Sequence, residues 1–255
     1  NSIPFYGKAF INGDDKNSIK LLKKINRSIF SYGLSKKNDL VASSIKYING
    51  NKMTFNIAFG SSTYKVSTNL LGKHNVYNIL SAIAVSIHLG ISITKAISSL
   101  KSFFGASRRF DVYDNIVINN TRPIVIDDYG HHPTEINSTI KTINALYPDK
   151  KIIMIFQPHR FSRTKAYWKS FIQTFKLLDN IILLPTYSAG EKNNSYDSSF
   201  LYNKINTQNK LLLKSVTKIK DILNEINFDN TILVLQGAGD IKNIINILKK
   251  ENVYR

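Results

Sequence analysis

Five short runs hold most of the residues able to do chemistry. Asp127-Asp128-Tyr129-Gly130-His131-His132-Pro133 sets two carboxylates beside two imidazoles. An imidazole and the Asp128 carboxylate near developing charge can orient a nucleophile or hold a phosphate. Alternatively, Asp127 or Asp128 caps a helix beginning at Pro133. The His131-His132 pair invites a zinc reading, but adjacent residues on a turn point apart and no Cys or third His has ligand spacing, so no metal ligands are assigned. Gln157-Pro158-His159-Arg160-Phe161-Ser162-Arg163-Thr164 brings His159 next to Arg160, with Arg163 one helical turn on. Two planar guanidinium forks at a helix entry, together with the helix amino-terminus, make an anion site suited to a small carboxylate. A plain pair of surface arginines is the other reading.

Three further runs are weaker signals. Tyr187-Ser188-Ala189-Gly190-Glu191 follows an apolar stretch, as does Gly237-Ala238-Gly239-Asp240. The latter is only a partial match to a dinucleotide turn and reads equally as a tight strand-to-helix connection. Upstream, Gly72-Lys73-His74-Asn75-Val76-Tyr77-Asn78 could present His74, Asn75 and Asn78 to a purine edge, or Asn75 could merely cap a helix.

The elements that must position these runs differ between the two parts of the chain. Lys46 to Thr68 alternates apolar and polar residues around Asn49-Gly50 and Gly60-Ser61-Ser62, which predicts antiparallel strands. Helices are expected from about Val76 to Leu89, stopped by Gly90, and from about Thr94 to Lys101, with His88 packed on an apolar face. Gly105 to Arg109 reads as a hinge. After Asp111 the pattern becomes strand, helix, strand, helix, which predicts a parallel sheet covered on both faces. Strands are expected at Ile124 to Asp127, Lys151 to Phe156, Asn180 to Leu184, Leu211 to Lys214 and Thr231 to Leu235. Helices are expected near Pro133 to Leu146, Thr164 to Leu178, Ser198 to Ile205, Val216 to Ile226 and Ile241 to Lys250. Four of the five runs then fall at the carboxyl ends of strands, where open α/β sheets bind ligands.

Composition bounds the rest. The 255 residues are 43% apolar, enough for one large or two ordinary cores, and contain no Cys, which excludes disulfides and thiolate chemistry and fits a cytoplasmic location. No apolar run approaches the roughly 20 residues that span a bilayer. The first residues, Asn-Ser-Ile-Pro-Phe, show no signal-peptide pattern and read as mid-protein sequence. The net charge of +18 is spread along the chain without a basic block. It suits a substrate rich in phosphates and carboxylates, and no specific nucleic-acid or membrane partner is expected.

Taken together, the runs resemble the Mur ligases, and within them the branch that adds L-alanine. The resemblance is carried by Gly72-Lys73-His74-Asn75 with Asn78, by Arg108-Arg109-Phe110, by the Asp127-to-Glu135 and Phe156-to-Thr164 runs, by Ala189-Gly190-Glu191 and by Gly237-Ala238-Gly239-Asp240. It implies that residues 1–107 are the end of a central ATP-binding domain, a mixed sheet with helices. Residues 108–255 would be a Rossmann-like parallel-sheet domain that binds the amino acid. It also implies an ATP-dependent ligase of peptidoglycan synthesis joining L-alanine to UDP-N-acetylmuramate through an acyl phosphate. His74, Asn75 and Asn78 would meet the adenine, with Arg108 or Arg109 near the phosphates. Asp128 and His131 would serve the reaction centre, while Tyr129, His159, Arg160 and Arg163 would hold the alanine. The family's G-x-x-x-x-G-K-[ST] loop, which cradles ATP phosphates and helps hold Mg²⁺, does not occur in these 255 residues. By this reading the chain alone is not catalytically competent. The alternatives are a related ligase adding another amino acid or peptide, and a non-catalytic nucleotide- or nucleic-acid-binding fragment.

Overall fold

The computed structural model describes residues 4–207 and 209–251. The chain divides into two compact units, Asn1–Gly105 and Ala106–Arg255.

The first unit is built on a five-stranded sheet. β1 (Lys8–Asn12), β2 (Ser28–Gly33) and β3 (Leu40–Ile48) run parallel, with α1 (Lys16–Leu22) between the first two. The predicted antiparallel part follows as β4 (Lys52–Phe59) and β5 (Ser62–Thr68). Asn49 and Gly50, at φ 49° and 68°, form the hairpin turn whose twist matches the strands. Met53, Phe55 and Ile57 of β4 are buried, and α2 (Lys73–His88) buries Val76, Ile79, Leu80, Ile83 and Ala84. That spacing is a helical apolar stripe. α3 (Ile93–Ser99) completes the unit.

One carboxylate knits its loops. Asp14 accepts from the backbone N–H of Leu34 and Ser35, from Asn38 Nδ2, and from the Tyr77 hydroxyl at 3.0 Å. Burial works against its charge, but these donors outweigh it and hold the carboxyl below its usual range. Burial and the same carboxylate push Tyr77 up to about 12.

Two expectations for this unit change. α2 begins at Lys73, behind Gly72 at φ 95°, so Asn75 lies inside the helix and is not its cap. His88 is exposed in the last turn, its ring 5.5 Å from Phe10, because the apolar stripe has rotated away by that residue.

The second unit is the predicted doubly covered sheet. β7 (Ile124–Asp128), β8 (Lys151–Phe156), β9 (Asn180–Leu183), β10 (Asn209–Leu212) and β11 (Thr231–Gln236) are parallel, and β6 (Asp111–Tyr113) pairs antiparallel at one edge. The order is β10-β9-β8-β11-β7-β6, so the last strand lies between β7 and β8. The central strands are buried almost throughout, as a sheet covered on both faces requires. One face packs Phe156 against Phe171 and Phe175 of α5 (Phe161–Phe175), with α4 (Pro133–Leu146) beside it. The other packs Val125, Leu233 and Leu235 against α7 (Ile219–Glu225) and α8 (Lys242–Glu251). α6 (Ser198–Lys204) joins β9 to β10. α5 begins three residues earlier than predicted, and β10 lies two residues earlier, at Asn209. Among the described residues no helix is long and apolar enough to cross a membrane.

Candidate functional site

The site in the second unit forms where β7, β8, β9 and β11 end. Asp128, the last residue of β7, is 5% exposed and fully engaged. Its Oδ1 accepts from Gly130 N and Gln236 Nε2, and its Oδ2 from Phe110 N. Gly130 has no room for a side chain, since a β-carbon would lie 2.6 Å from that carboxylate. Asp127 is paired with Arg108, whose Nε lies 3.0 Å from Oδ2 and whose Nη2 donates to the Gly237 carbonyl at 2.7 Å. Burial raises the Asp127 carboxyl above its usual range, and the guanidinium pulls against that. Neither Asp127 nor Asp128 caps α4. That role belongs to His132, whose Nδ1 accepts from Thr134 N while Glu135 accepts from the His131 and His132 amides. This is a capping box with an imidazole in place of a hydroxyl.

The two adjacent histidines diverge as predicted. His132 packs on Tyr167 at 4.5 Å, whereas His131 turns to Tyr129 and to His159, 5.2 Å away between ring centres. His159 in turn stacks on Tyr187 at 5.5 Å. Hydrogen-bond partners assign the tautomers. The Nδ1 of His131 lies 3.1 Å from the Tyr129 carbonyl, which only accepts, so Nδ1 carries the hydrogen and Nε2 keeps its lone pair. The Nδ1 of His159 faces Arg163 Nη1 at 3.3 Å, which only donates, so here the hydrogen is on Nε2. The pair thus offers one base and one donor. Burial lowers both imidazoles from their ordinary value, and for His159 the neighbouring His131, Arg163 and Arg160 add to it.

A pH dependence follows. Groups whose folded pKa is depressed are charged first in the unfolded chain, so their contribution to stability is lost as pH falls below about 6.5. Thermal melts between pH 7.5 and 5.5 should show a falling midpoint, and His131→Asn together with His159→Asn should flatten that slope. An unchanged slope in the double variant would refute the assignment.

The arginines depart from the predicted anion site in one respect. Arg160 is exposed at φ 70°, and among the described residues its guanidinium makes no hydrogen bond. Arg163 is half-buried against His159. The amino-terminus of α5 is not open to a ligand, because Glu191 accepts from both the amide and the hydroxyl of Ser162. The Gly237 run is likewise engaged internally: Gly237 N donates to the Asp128 carbonyl, and Ile241 N to Gln157 Oε1. It is the tight connection of the two readings. Arg109 reaches Glu135 at 3.3 Å and lies 5.2 Å from the Tyr129 ring.

In the first unit, Asn75 is buried, donating to the Leu71 carbonyl and accepting from Asn78 Nδ2. His74 is half-buried and Asn78 exposed on the same first turns of α2. The sequence runs assign no role to the supporting glutamines. Gln157 directly follows the apolar Ile152-to-Phe156 run of β8 and Gln236 closes the apolar Ile232-to-Leu235 run of β11, and a polar residue at the end of a buried run was the available signal.

Comparison with known proteins fits this geometry. Residues 1–86 match the Mur ligase middle domain, and residues 108–239 match the domain described as Mur ligase, glutamate ligase domain. The chain belongs to the Mur ligase family. A UDP-N-acetylmuramate–L-alanine ligase of Vesicomyosocius okutanii is 36% identical over 97% of this Mur ligase chain and 54% of its own length. The chain spans about half the length of the curated relatives it matches. Among solved structures, the UDP-N-acetylmuramate–alanine ligase MurC of Thermotoga maritima superposes with a TM-score of 0.69 at 22% identity, covering 87% of this chain and 47% of that one. The MurF ligase of the same organism, in complex with ADP, gives 0.72 at 17% identity, covering 99% and 55%. Both show the shared fold.

Proposed function

We propose that this chain forms part of an ATP-dependent ligase joining L-alanine to UDP-N-acetylmuramate in the cytoplasm, for peptidoglycan synthesis. The reading rests on one observation: relatives bearing that name are 34–36% identical over 97–99% of the chain. Residues 1–107 then belong to the central ATP-binding domain, with His74, Asn75 and Asn78 toward the adenine. Because Asn75 is engaged at both ends of its amide, Asn78 is the more available contact. Residues 108–255 form the amino-acid-binding domain.

The ring and guanidinium groups suit the second half of the reaction. The exposed Arg160 and the His159 Nε2–H offer donors to the alanine carboxylate, with Arg163 holding His159 in the donating tautomer. His131 Nε2 is a lone-pair base beside them, able to take a proton from the ammonium so that the amine attacks the carbonyl carbon of an acyl phosphate, the C–N bond forming as the C–O bond breaks and phosphate leaves. Tyr129 supports His131 through its carbonyl and ring. Asp128 acts at this centre by shaping the loop, its oxygens being occupied, and Arg108 likewise braces the loop while Arg109 is the better placed for phosphate. Among the described residues no group of three or more His, Cys, Asp or Glu side chains is placed to hold a metal ion.

The test has two arms. The 255-residue polypeptide by itself should form no ADP with L-alanine and UDP-N-acetylmuramate, since it has no phosphate-binding loop. The complete ligase, in which a nucleotide-binding half precedes these residues, should release ADP with L-alanine in preference to glycine, D-glutamate or a tripeptide. Preference for another amino acid or a peptide would overturn the substrate assignment. Alanine-dependent ADP formation by the polypeptide alone would overturn the assignment of its parts.

A further inference from the structure

Glu191 has no part in the chemistry above, yet its carboxylate is placed with care. α5 has no side-chain cap of its own. Its N-cap residue is Arg160, at φ 70° and ψ 133°, and an arginine offers no acceptor to the helix amides. The missing acceptor comes from a different loop. Glu191 takes the Ser162 amide at 3.0 Å through Oε2 and the Ser162 hydroxyl through Oε1.

The chain is bent to deliver it. Ala189 and Gly190 follow one another at φ 49° and 87°, and the Glu191 amide closes the turn on the Ser188 carbonyl at 3.1 Å. A left-handed Ala is unfavourable, and such residues persist where the surroundings hold them. The same loop grips the arginine run at its other end. Arg160 N donates to the Tyr187 carbonyl at 2.9 Å, Tyr187 N donates to the Pro158 carbonyl at 2.8 Å, and the Tyr187 ring stacks on His159. His159 and Arg160 are therefore fixed from behind by Tyr187, and Ser162 by Glu191.

We propose that Glu191 is the positioning residue of the carboxylate-binding group: by capping α5 from the loop after β9, it holds Arg160 in its left-handed conformation beside His159 and Arg163. The inference rests on the assignment of those three residues to the alanine carboxylate. A negative charge at a helix amino-terminus also stabilises the helix, but a helix cap alone would leave substrate kinetics untouched once the protein is folded. A positioning role predicts a selective change in alanine affinity.

In the complete ligase, Glu191→Ala should raise the L-alanine KM about tenfold with kcat and ATP KM within about twofold. Glu191→Gln keeps an acceptor for Ser162 and should recover most of that loss. Ser162→Ala removes one of the two bonds and should raise KM about threefold. The Glu191→Ala, Ser162→Ala double variant should be no worse than Glu191→Ala, because both act through one contact. Circular dichroism of each variant at the assay temperature establishes that the enzyme assayed is folded. An alanine KM within twofold of wild type in folded Glu191→Ala overturns the proposal, as does a strictly additive double variant. If Arg160→Ala and Arg163→Ala also leave alanine KM unchanged, the carboxylate assignment itself fails. If they raise it and Glu191→Ala does not, only the positioning role fails.

Discussion

Replacing Arg160 or Arg163 with Ala should raise the L-alanine KM of the complete ligase by roughly ten- to a hundredfold and leave the ATP KM nearly unchanged. A charge-assisted hydrogen bond is worth about 1.5–3 kcal/mol, and each 1.4 kcal/mol is a factor of ten. The two positions fail differently. Arg160 is exposed and its guanidinium makes no hydrogen bond among the described residues, so Arg160→Ala removes the proposed substrate contact and leaves the backbone bond to Tyr187 in place. Arg163 also supplies the hydrogen that His159 Nδ1 accepts, so Arg163→Ala frees that imidazole to change tautomer and lose its donor. Arg163→Lys can still donate to Nδ1 and should recover more activity than Arg160→Lys, where a point charge replaces a planar fork. Steady-state titration of each substrate separates the possibilities. A shift in ATP KM instead would assign the arginines to phosphate, and no shift in either would make them surface residues.

The largest effect on stability is expected at Arg108. Its guanidinium is 13% exposed and holds Asp127, itself 1% exposed, together with the Gly237 carbonyl. Arg108→Ala leaves a buried carboxylate and a carbonyl without their donor, a change that typically costs about 3–5 kcal/mol. The sign of its pH dependence is fixed. Burial already raises the Asp127 carboxyl, and loss of the guanidinium raises it further. A folded pKa above the unfolded one favours the fold at low pH and disfavours it as pH rises through that value. Urea denaturation should therefore show a deficit at pH 7.5 that narrows at pH 5. Replacing Asp127 by Asn in the same variant should recover part of the loss at pH 7.5 and remove most of the pH dependence. A deficit independent of pH would mean that the ion pair is not its source.

The contacts of Arg108 are not written in its local sequence. The resemblance placed it near phosphate, but the type and position of a residue do not reveal that Asp127 and Gly237 lie within its reach. Those contacts depend on β11 entering beside β7, a tertiary event. What was legible is local. The limits of α4 agree with the prediction because Pro133 marks its first turn, and β8 agrees because its apolar run is uninterrupted. β10 lies earlier than predicted because this edge strand starts with the polar Asn209 and Lys210, whose pairing with β9 overrides their composition. β1, α1 and β2 were not anticipated, since their Lys, Asn and Ser residues hide a short alternation, and α1 buries no residue at all. The alternative reading, an aspartate cap for α4, does not hold because His132, not a usual capping residue, takes that place, although Glu135 three positions on was the sign of a box. Glu191 stood in a recognised run, but its partner Ser162 lies 29 residues away in sequence and no spacing rule connects them.

The position of β11 has a further consequence, for the order in which the second unit can be made. Its central strand is the last of its strands to be made, yet β7 and β8, whose residues pair with it across 108 and 80 positions (Ile232 with Ile124, Thr231 with Lys151), reach each other only through it. Until Gln236 has emerged, both strands have an apolar edge open to the wrong neighbour. The pairing that closes the sheet is of long range and correspondingly slow. The bond from Arg108 to the Gly237 carbonyl spans 129 residues, so the site's internal brace forms with this final insertion. Vectorial synthesis thus gives no early foothold, and a nascent chain stalled before residue 231 would hold all the arginines and histidines of the site without a surface to arrange them.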